Sequence, residues 1–317
     1  MAIGSATQRS ALFSRQQPGG FWVVADIETQ PNNVWFVHSA HSAATNGAGY
    51  GRNPDRPFAT LDYAVSHGNI ATGDTIYLMP GHAENLAADS AVDVDVSNLQ
   101  IIGLGWGGCR PTFTATAIAG DFKLAASCGI LRNVLFLGGV DATTGILEVS
   151  SADWQILNCE YRDSVGEATD ALITVDGADR LLIDGWKHIG SAAAGANSAI
   201  ALDGSDDCII RNFNLYGNFA VGAIDFRTTA SARAQIYGGA DNSKIWTANA
   251  ADIAIVDTIT TSTGFIGPNI DIMLADNAAN ITQACTGATF QYVQPINICN
   301  LAGESTMFTN ITASTDA

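Results

Sequence analysis

The chain is short of charge, and above all of positive charge. Only 14% of its 317 residues are charged, 14 basic and 31 acidic, which gives a formal net charge of −17. Lysine occurs three times, and no basic residue follows Lys244. Because so acidic a surface repels phosphate backbones, we expect no nucleic-acid partner.

Long apolar runs are also missing, although 47% of the residues are hydrophobic. No run approaches the roughly 20 apolar residues that span a bilayer, so we expect no membrane insertion. The N-terminus lacks a charged start followed by an apolar stretch and therefore does not predict a secretory signal. The apolar content is sufficient for a large folded core.

Cysteine and histidine are too scattered to predict a metal site. The six cysteines form no CxxC pair, and several lie within strand-like runs. We expect buried free thiols and synthesis in a reducing cytoplasm, with a disulfide framework as the alternative. His38 and His41 are three residues apart but have no acid or cysteine nearby, so we expect neither a metal nor another cofactor.

The chain does contain a repeat. A turn-and-strand phrase occurs three times and, with Asn158, Asp184 and Asn212 taken as equivalent, recurs after 26 and 28 residues. A shorter apolar phrase occurs four times, at Leu147–Val149, Ile173–Val175, Ile200–Leu202 and Ile224–Phe226. Such periods predict stacked supersecondary units, and the abundance of β-branched residues and turn signals favours short strands. Alternation then places four residues outward: Glu148, Thr174, Ala201 and Asp225.

The stretch before the repeats predicts a short helix and a first strand. Four apolar residues fall on one face of this helix: Phe58, Leu61, Ala64 and Val65. Thr60 is placed to cap it. A helix of this kind would cover the open end of a stack of coils, with Thr75–Leu78 as the first coil strand.

This stretch also carries a resemblance. Residues 53–61, 73–78 and 80–81 resemble the first turn of right-handed parallel β-helix proteins of the pectin-lyase-like superfamily. The order of the helix at 58–64, the Met-Pro-Gly-His turn at 79–82 and the Ile-Ile-Gly-Leu-Gly strand at 101–105 is more similar still to β-helix structural proteins of tailed bacteriophages, namely decoration and spike proteins. The resemblance covers residues from about 50 to 290.

We therefore predict an all-β chain, folded as a single-stranded right-handed parallel β-helix of roughly eight or nine coils with an N-terminal capping helix and an extended N-terminal arm. The predicted units are 1–49 (arm and first strands, used for attachment), 50–300 (β-helix) and 301–317 (C-terminal cap or tail). The resemblance implies a non-enzymatic virion protein, a capsid decoration (cement) or head-spike protein on the outer surface of the phage head. The fold also hosts lyases, hydrolases and adhesins, so the fold does not set the function.

One column of aspartates is the candidate for catalysis. Asp176 and Asp203 would stack at about 5 Å, a separation compatible with the carboxylate pair of a retaining glycosidase. Each precedes a glycine, and Asp-Gly is a turn signal, which favours a structural role. We predict no catalytic residue. If the chain were an enzyme, the candidates would be Asp176, Asp203, Asp206, Asp207 and Arg227. A calcium site in the oxygen-rich loop 203–207 stays open, although the closing glutamate of an EF-hand loop is missing.

The N-terminal segment 1–20 carries net positive charge, from Arg9 and Arg15. It fits either a frayed terminus or a docking segment. We predict docking to the major capsid protein or other virion proteins through six candidate residues: Arg9, Leu12, Phe13, Arg15, Phe21 and Trp22. The resemblance also implies a homotrimer.

Two other functions remain open on the same fold. The first is a tailspike or polysaccharide depolymerase acting through Asp176 and Asp203, and the second is an adhesin that binds a host surface glycan. Four tryptophans are candidates for a sugar-binding platform: Trp106, Trp154, Trp186 and Trp246. Because Trp154 and Trp186 fall on different register positions, we expect them to pack in the core instead.

Overall fold

Three long β-sheets wound around one core form the body of the protein. The structure is a computed structural model. It describes residues 33–140, 145–164, 170–175, 177–191, 195–248, 253–275 and 289–300, with short strands at 13–16, 22–24, 285–286 and 305–307.

The strands are numbered in chain order. The first ten are β1 (Phe13–Gln16), β2 (Trp22–Val24), β3 (Val34–Val37), β4 (Thr75–Leu78), β5 (Ala83–Leu86), β6 (Val92–Val94), β7 (Gln100–Gly103), β8 (Thr112–Ala115), β9 (Phe122–Leu124) and β10 (Ile130–Arg132). The next ten are β11 (Leu135–Leu137), β12 (Leu147–Val149), β13 (Gln155–Leu157), β14 (Glu160–Arg162), β15 (Leu172–Thr174), β16 (Leu182–Asp184), β17 (Lys187–Ile189), β18 (Ile200–Leu202), β19 (Ile209–Arg211) and β20 (Asn214–Gly217). The others are β21 (Ile224–Phe226), β22 (Ala234–Tyr237), β23 (Ser243–Thr247), β24 (Ile255–Asp257), β25 (Gly264–Ile266), β26 (Ile270–Leu274), β27 (Cys285–Thr286), β28 (Phe290–Tyr292), β29 (Ile296–Asn300) and β30 (Ser305–Met307). A helix, α1, spans Leu61–Ser66, and a 3-10 turn spans Gly107–Cys109.

Every third strand belongs to the same sheet, which is the topology of a parallel β-solenoid. Sheet I has ten strands from β3 and β4 to β28, sheet II has ten from β5 to β30, and sheet III has eight from β6 to β27. Pairing within these sheets is parallel except between β29 and β30. Because sheet III has eight strands, seven turns separate its first strand from its last, somewhat fewer than the eight or nine coils predicted. The all-β solenoid is confirmed.

Side chains that point inward stack on their counterparts in the next coil. Sheet I contributes an almost unbroken aliphatic ladder: Ile76, Ile101, Leu131, Ile156, Ile183, Ile210, Ile236 and Ile266. None of them is more than 1% exposed. Burying such a side chain contributes about 1.5–3 kcal/mol, and identical shapes at equal register pack without voids.

Three of the four apolar residues predicted for one face of the helix lie in α1, whereas Phe58 precedes the helix and forms an isolated bridge with Val37. Leu61, Ala64 and Val65 are at most 2% exposed, and the Thr60 hydroxyl accepts a hydrogen bond from the Tyr63 amide at 3.3 Å. The helix packs on β3 and β6. Its role as a cap stays a prediction. Since β3 pairs in parallel with β4, sheet I begins one strand earlier than the predicted first strand, Thr75–Leu78.

The predicted equivalence of Asn158, Asp184 and Asn212 is wrong by one residue at its middle member. Pairing of β13, β16 and β19 places Leu157 beside Asp184, so Gly185 stacks between Asn158 and Asn212. All three have positive φ (54°, 78° and 55°), which glycine and asparagine adopt most readily. The two steps are then 27 residues each.

Sheet III contains a second slip of one residue. Leu172 and Thr174 are buried and point inward, whereas Ile173 points outward, the reverse of the prediction. Thr174 tolerates the interior because its hydroxyl is hydrogen-bonded. It lies 2.8 Å from the Ser205 hydroxyl and accepts from the Asp203 amide at 2.8 Å. Burying a hydroxyl costs little free energy when it is hydrogen-bonded. The prediction places Thr174 outward because alternating polar residues are normally exposed.

We predict that Gly185→Ala destabilises the protein more than Gly177→Ala does. Both glycines have positive φ, 78° and 96°. A Cβ at Gly185 would lie 2.4 Å from the Asn158 Oδ1 atom, whereas a Cβ at Gly177 meets nothing within 4 Å. We expect a loss of about 1 kcal/mol for Gly177→Ala, from backbone strain alone, and at least about 1 kcal/mol more for Gly185→Ala. Urea unfolding followed by circular dichroism measures both. Equal losses would show that the stacked turn tolerates the extra methyl group.

Candidate functional site

Of the predicted aspartate pair, Asp176 and Asp203, the structure describes only Asp203. Pairing of Leu172 with Ile200 and of Ile173 with Ala201 places Val175 on the rung beside Asp203. The one-residue slip in sheet III changes the register on which the predicted pair was based, and the pair itself stays a prediction. Asp176 itself lies outside the described residues.

The other predicted carboxylates hold neighbouring coils together. Asp203 accepts a hydrogen bond from the Thr229 amide at 2.8 Å, and Asp206 accepts one from the Ala232 amide at 2.7 Å. Asp207 binds both Nε and Nη2 of the Arg233 guanidinium, at 2.6 and 2.7 Å. These contacts occupy oxygens that a calcium ion or a substrate would need, and they agree with a structural role for the turns.

A column of charges runs along the turn that precedes sheet I. The column consists of Asp153, Arg180, Asp207 and Arg233, which share one register position and all have positive φ. Arg180 binds Asp153 at 2.7 and 2.8 Å, as Arg233 binds Asp207. The Arg180 and Arg233 guanidinium groups lower the pKa values of the Asp153 and Asp207 carboxyls. Because the charges alternate in sign, neighbouring side chains in this exposed column attract each other although they are stacked at strand spacing.

Arg227 belongs to a buried carboxylate cluster on the outer side of sheet III. Its Nη2 atom lies 2.9 Å from Asp170, and its Nε atom lies 3.9 Å from Asp225. Asp225 points outward, as predicted, yet it is only 1% exposed, and its Oδ1 atom has no hydrogen-bond partner among the described residues. Burial raises the pKa of the Asp225 carboxyl to about 6. Asp170 and Asp257 act in the same direction, and Arg227 opposes them.

The predictions for the cysteines and tryptophans are confirmed in part. All six cysteines are free, but three are buried and Cys109 and Cys128 are exposed. Burial raises the pKa values of the Cys159, Cys208 and Cys285 thiols to about 12. Within the described ranges no cluster of three His, Cys, Asp or Glu side chains is arranged to hold a metal ion. Two tryptophans lie in the core as expected, Trp154 and Trp186, and two are exposed, Trp106 and Trp246.

An open groove of about 700 Å³ lies at the corner between sheets I and II. It arises from a difference in connection length. Two residues join β16 to β17 and β19 to β20, whereas residues 238–242 join β22 to β23. The longer connection rises beside the shorter ones and forms a wall. Asn242 anchors it by donating to both Asp271 oxygens at 2.9 and 3.0 Å, and Gly239 packs on Asn212.

The groove is lined by polar and charged side chains from three successive coils. On its sheet I side, the Asp184 carboxylate accepts from Arg211 Nε at 2.9 Å and from Asn212 Nδ2 at 2.6 Å. On its sheet II side, Lys187, Asn214 and Lys244 form one column at equal register. Lys244 is exposed and makes no ion pair within the part of the chain that the structure describes, and Lys187 comes no nearer than 3.9 Å to Glu160.

An aromatic pair extends this surface along sheet II. Tyr216 and Trp246 lie two residues beyond Asn214 and Lys244 on the same outer face, with ring centroids 5.7 Å apart in an edge-to-face arrangement. Trp246 is 47% exposed. The sequence alone did not predict the groove, because its lining comes from three coils whose relative alignment is set by the strand register. The unequal connection lengths were the available signal.

The predicted attachment residues fall mostly in the N-terminal segment. Arg9, Leu12 and Phe21 lie outside the described residues. The backbone of Phe13 and Arg15 belongs to β1, and that of Trp22 belongs to β2, which pairs with β1 in an antiparallel sheet of their own. Among the described helices, none has the length and apolar character needed to cross a membrane.

Comparison of the chain with known protein families, with curated proteins and with solved structures gives no significant match.

We predict that stability falls as pH rises from about 4.5 to 7, through Asp225. Its folded-state pKa is raised to about 6 from an ordinary value of 3.8, so the folded state holds the proton more tightly than the unfolded chain does. The resulting stability is complete below the unfolded pKa and is lost as pH rises through the folded one, by about 1–3 kcal/mol.

Asp225→Asn should be more stable than the wild type at pH 7.5 and should flatten about half of this pH dependence in urea unfolding. Part of the slope should remain, because burial also raises the pKa of Asp121 to about 6. Asp207→Asn is the control, since its pKa is lowered by Arg233 and its removal should not flatten the slope. If Asp225→Asn were less stable at pH 7.5 with an unchanged slope, the contact with Arg227 would outweigh the burial of the carboxylate.

Proposed function

We propose that the protein is a non-enzymatic structural component of a bacteriophage virion, a decoration or head-spike protein that binds the capsid through its N-terminal arm. The observation that carries the proposal is the use of the candidate carboxylates. Asp203 and Asp206 bind backbone amides of the next coil, and Asp207 binds Arg233. Carboxylates that bind the next coil favour a structural role over catalysis, and a protein of this kind would function by binding through its surface. The resemblance of residues 53–105 to phage β-helix structural proteins supplies the virion context.

The charge distribution supports attachment through the arm. Residues 1–20 contain two basic residues and no acidic one, while the other 297 residues contain 12 basic and all 31 acidic residues. A positive arm on a negative body can bind a negative partner surface while the body is repelled from it. The body would then stand away from the particle, with its net charge keeping particles apart in solution.

We also propose that three copies associate through sheet I. One outward column of this sheet carries half-buried apolar side chains, among them Ile130, Leu182, Ile209 and Phe265. The other column is mixed, with Ile102 and Leu157 beside the charged Arg132, Asp184 and Arg211. Sheet II has one polar outward column, and outward residues of sheet III such as Ala201 and Asp225 are already covered. Closed threefold symmetry would bury the apolar face of every copy.

We expect deletion of residues 1–20 to abolish binding to capsids while leaving the body folded. The deletion removes β1 and both arm arginines but no strand of sheets I to III. Co-sedimentation with capsids of the encoding phage that lack the protein measures binding, and the unchanged melting curve of the truncated chain is the control. Arg9→Glu with Arg15→Glu should weaken binding at least about tenfold at 0.15 M salt, because two favourable charges become repulsive. Wild-type stoichiometry for the truncated chain would contradict attachment through the arm.

The chain should sediment at about three times its 33.0 kDa mass, and Ile209→Lys should dissociate it. A lysine there would bury an unpaired charge against the neighbouring copy. Trp246→Lys is the matched variant on the outer face of sheet II and should leave the trimer intact. Analytical ultracentrifugation distinguishes the two. A monomeric wild type, or dissociation by Trp246→Lys but not by Ile209→Lys, would contradict the assignment of the interface to sheet I.

A further inference from the structure

We infer that the groove between sheets I and II binds an acidic saccharide, a chain of sugars that carry carboxylates. This binding would go beyond the structural role proposed above and does not depend on it. The groove is walled by the 238–242 connection, whose end is fixed by Asn242 on Asp271 and whose Gly239 rests on Asn212. Its shape is therefore preformed, as small-ligand sites usually are.

The positive charge on this surface stands out from the rest of the body. Two of the three lysines of the chain, Lys187 and Lys244, lie in one column of the groove. They are two strand spacings apart, about 9.6 Å, which is close to one disaccharide repeat of an extended saccharide. The third cation, Arg211, is already matched by Asp184. At physiological salt the net charge of the body is screened beyond about 8 Å, so the charges at the groove itself decide the contact with a bound carboxylate. Beside the two lysines these are Asp241 in the lining and Asp271 on the rung next to Lys244, whose carboxylate accepts hydrogen bonds from Asn242 and Asn297.

Groups suited to sugar hydroxyls and sugar faces surround the two lysines. Asn214 lies between them in the column, and Asn158 and Asp241 line the groove nearby. Planar amides and carboxylates can bind two vicinal hydroxyls at once. Trp246, 47% exposed beside Tyr216, offers a flat apolar surface on which the C–H face of a pyranose ring can stack.

Two other anionic ligands fit less well. A nucleic acid would bring a dense row of phosphates toward a chain with a net charge of −17, and two lysines cannot compensate for it. An acidic peptide bound in extended form would need free backbone groups. At this corner the backbone is used between coils, as when the Asn214 amide donates to Trp186 and the Lys244 amide donates to Phe213.

The test is titration calorimetry with three probes: oligomers of galacturonate, of mannuronate, and of alternating glucuronate and N-acetylglucosamine. Each is compared with its methyl ester, which keeps the shape but removes the charge. We expect at least one acid form to bind at one site per chain, and its ester to bind at least about fivefold more weakly. Raising the salt concentration should weaken only the acid form.

Lys244→Gln and Trp246→Ala should each lower the affinity at least about fivefold. Lys244 makes no ion pair among the described residues, so the Lys244→Gln variant should melt as the wild type does. Lys123→Gln is the matched control, because Lys123 lies on sheet III and pairs with Glu148 at 2.8 Å. It should bind the saccharide as the wild type does.

Three results would overturn the inference. The first is no heat of binding for any of the three acid oligomers at about millimolar concentration, the weak end of the affinity scale. The second is binding that Lys244→Gln and Trp246→Ala leave unchanged, or that Lys123→Gln weakens equally. The third is displacement of the bound saccharide by a poly-glutamate peptide at equal charge concentration, which would show an unspecific anion surface. Loss of capsid binding by the truncated arm leaves all three readouts unaffected, so this inference and the proposed function fail separately.

Discussion

Hydrogen bonding between successive coils is the constraint on which the rest of this structure depends. Each strand pairs in parallel with the strand one coil before and one coil after it, so residues at equal register lie about 4.8 Å apart. A side chain therefore meets its own counterpart along the whole rod. In sheet I this favours isoleucine on isoleucine, and in sheet II it places Phe113, Phe136, Tyr161 and His188 in one inward column. The core is built of ladders because the backbone leaves no other arrangement.

The same spacing governs the charged residues. Like charges stacked at strand spacing repel, so the exposed column of Asp153, Arg180, Asp207 and Arg233 alternates in sign. Where a carboxylate cannot alternate, it is protected instead. Asp225 sits between Ala201 and Val256 on sheet III, away from water, and its raised pKa reflects that position. Acids within strands are in several cases placed beside a lysine, as Asp93 and Glu148 are beside Lys123 and Asp271 is beside Lys244.

Regular coils give the solenoid a uniform surface, and connections of unusual length alter that surface locally. Two-residue connections, such as Gly185-Trp186, keep the corner between sheets I and II tight. The connections at this corner range from two residues in four of the coils to eight at 104–111, and the five-residue connection 238–242 beside two-residue turns forms the groove. Under the two proposals, the arm serves attachment and this groove serves recognition. Both proposals place function at these departures from the repeat.

The sequence by itself determined the approximate period, the strand content, a short helix after Thr60 and its Thr60 cap, because all of these follow from local alternation and turn chemistry. The sequence did not predict two single-residue features of the register. Asp184 and Gly185 are both turn formers, and only pairing with the next coil shows that the glycine takes the positive φ. Thr174 looked exposed because its partner, the Ser205 hydroxyl, is 31 residues away. The groove likewise depends on Lys187 and Lys244, distant in the chain and two rungs apart in space. Only winding of the backbone brings such residues together, since their proximity comes from inter-coil hydrogen bonds and not from any local preference.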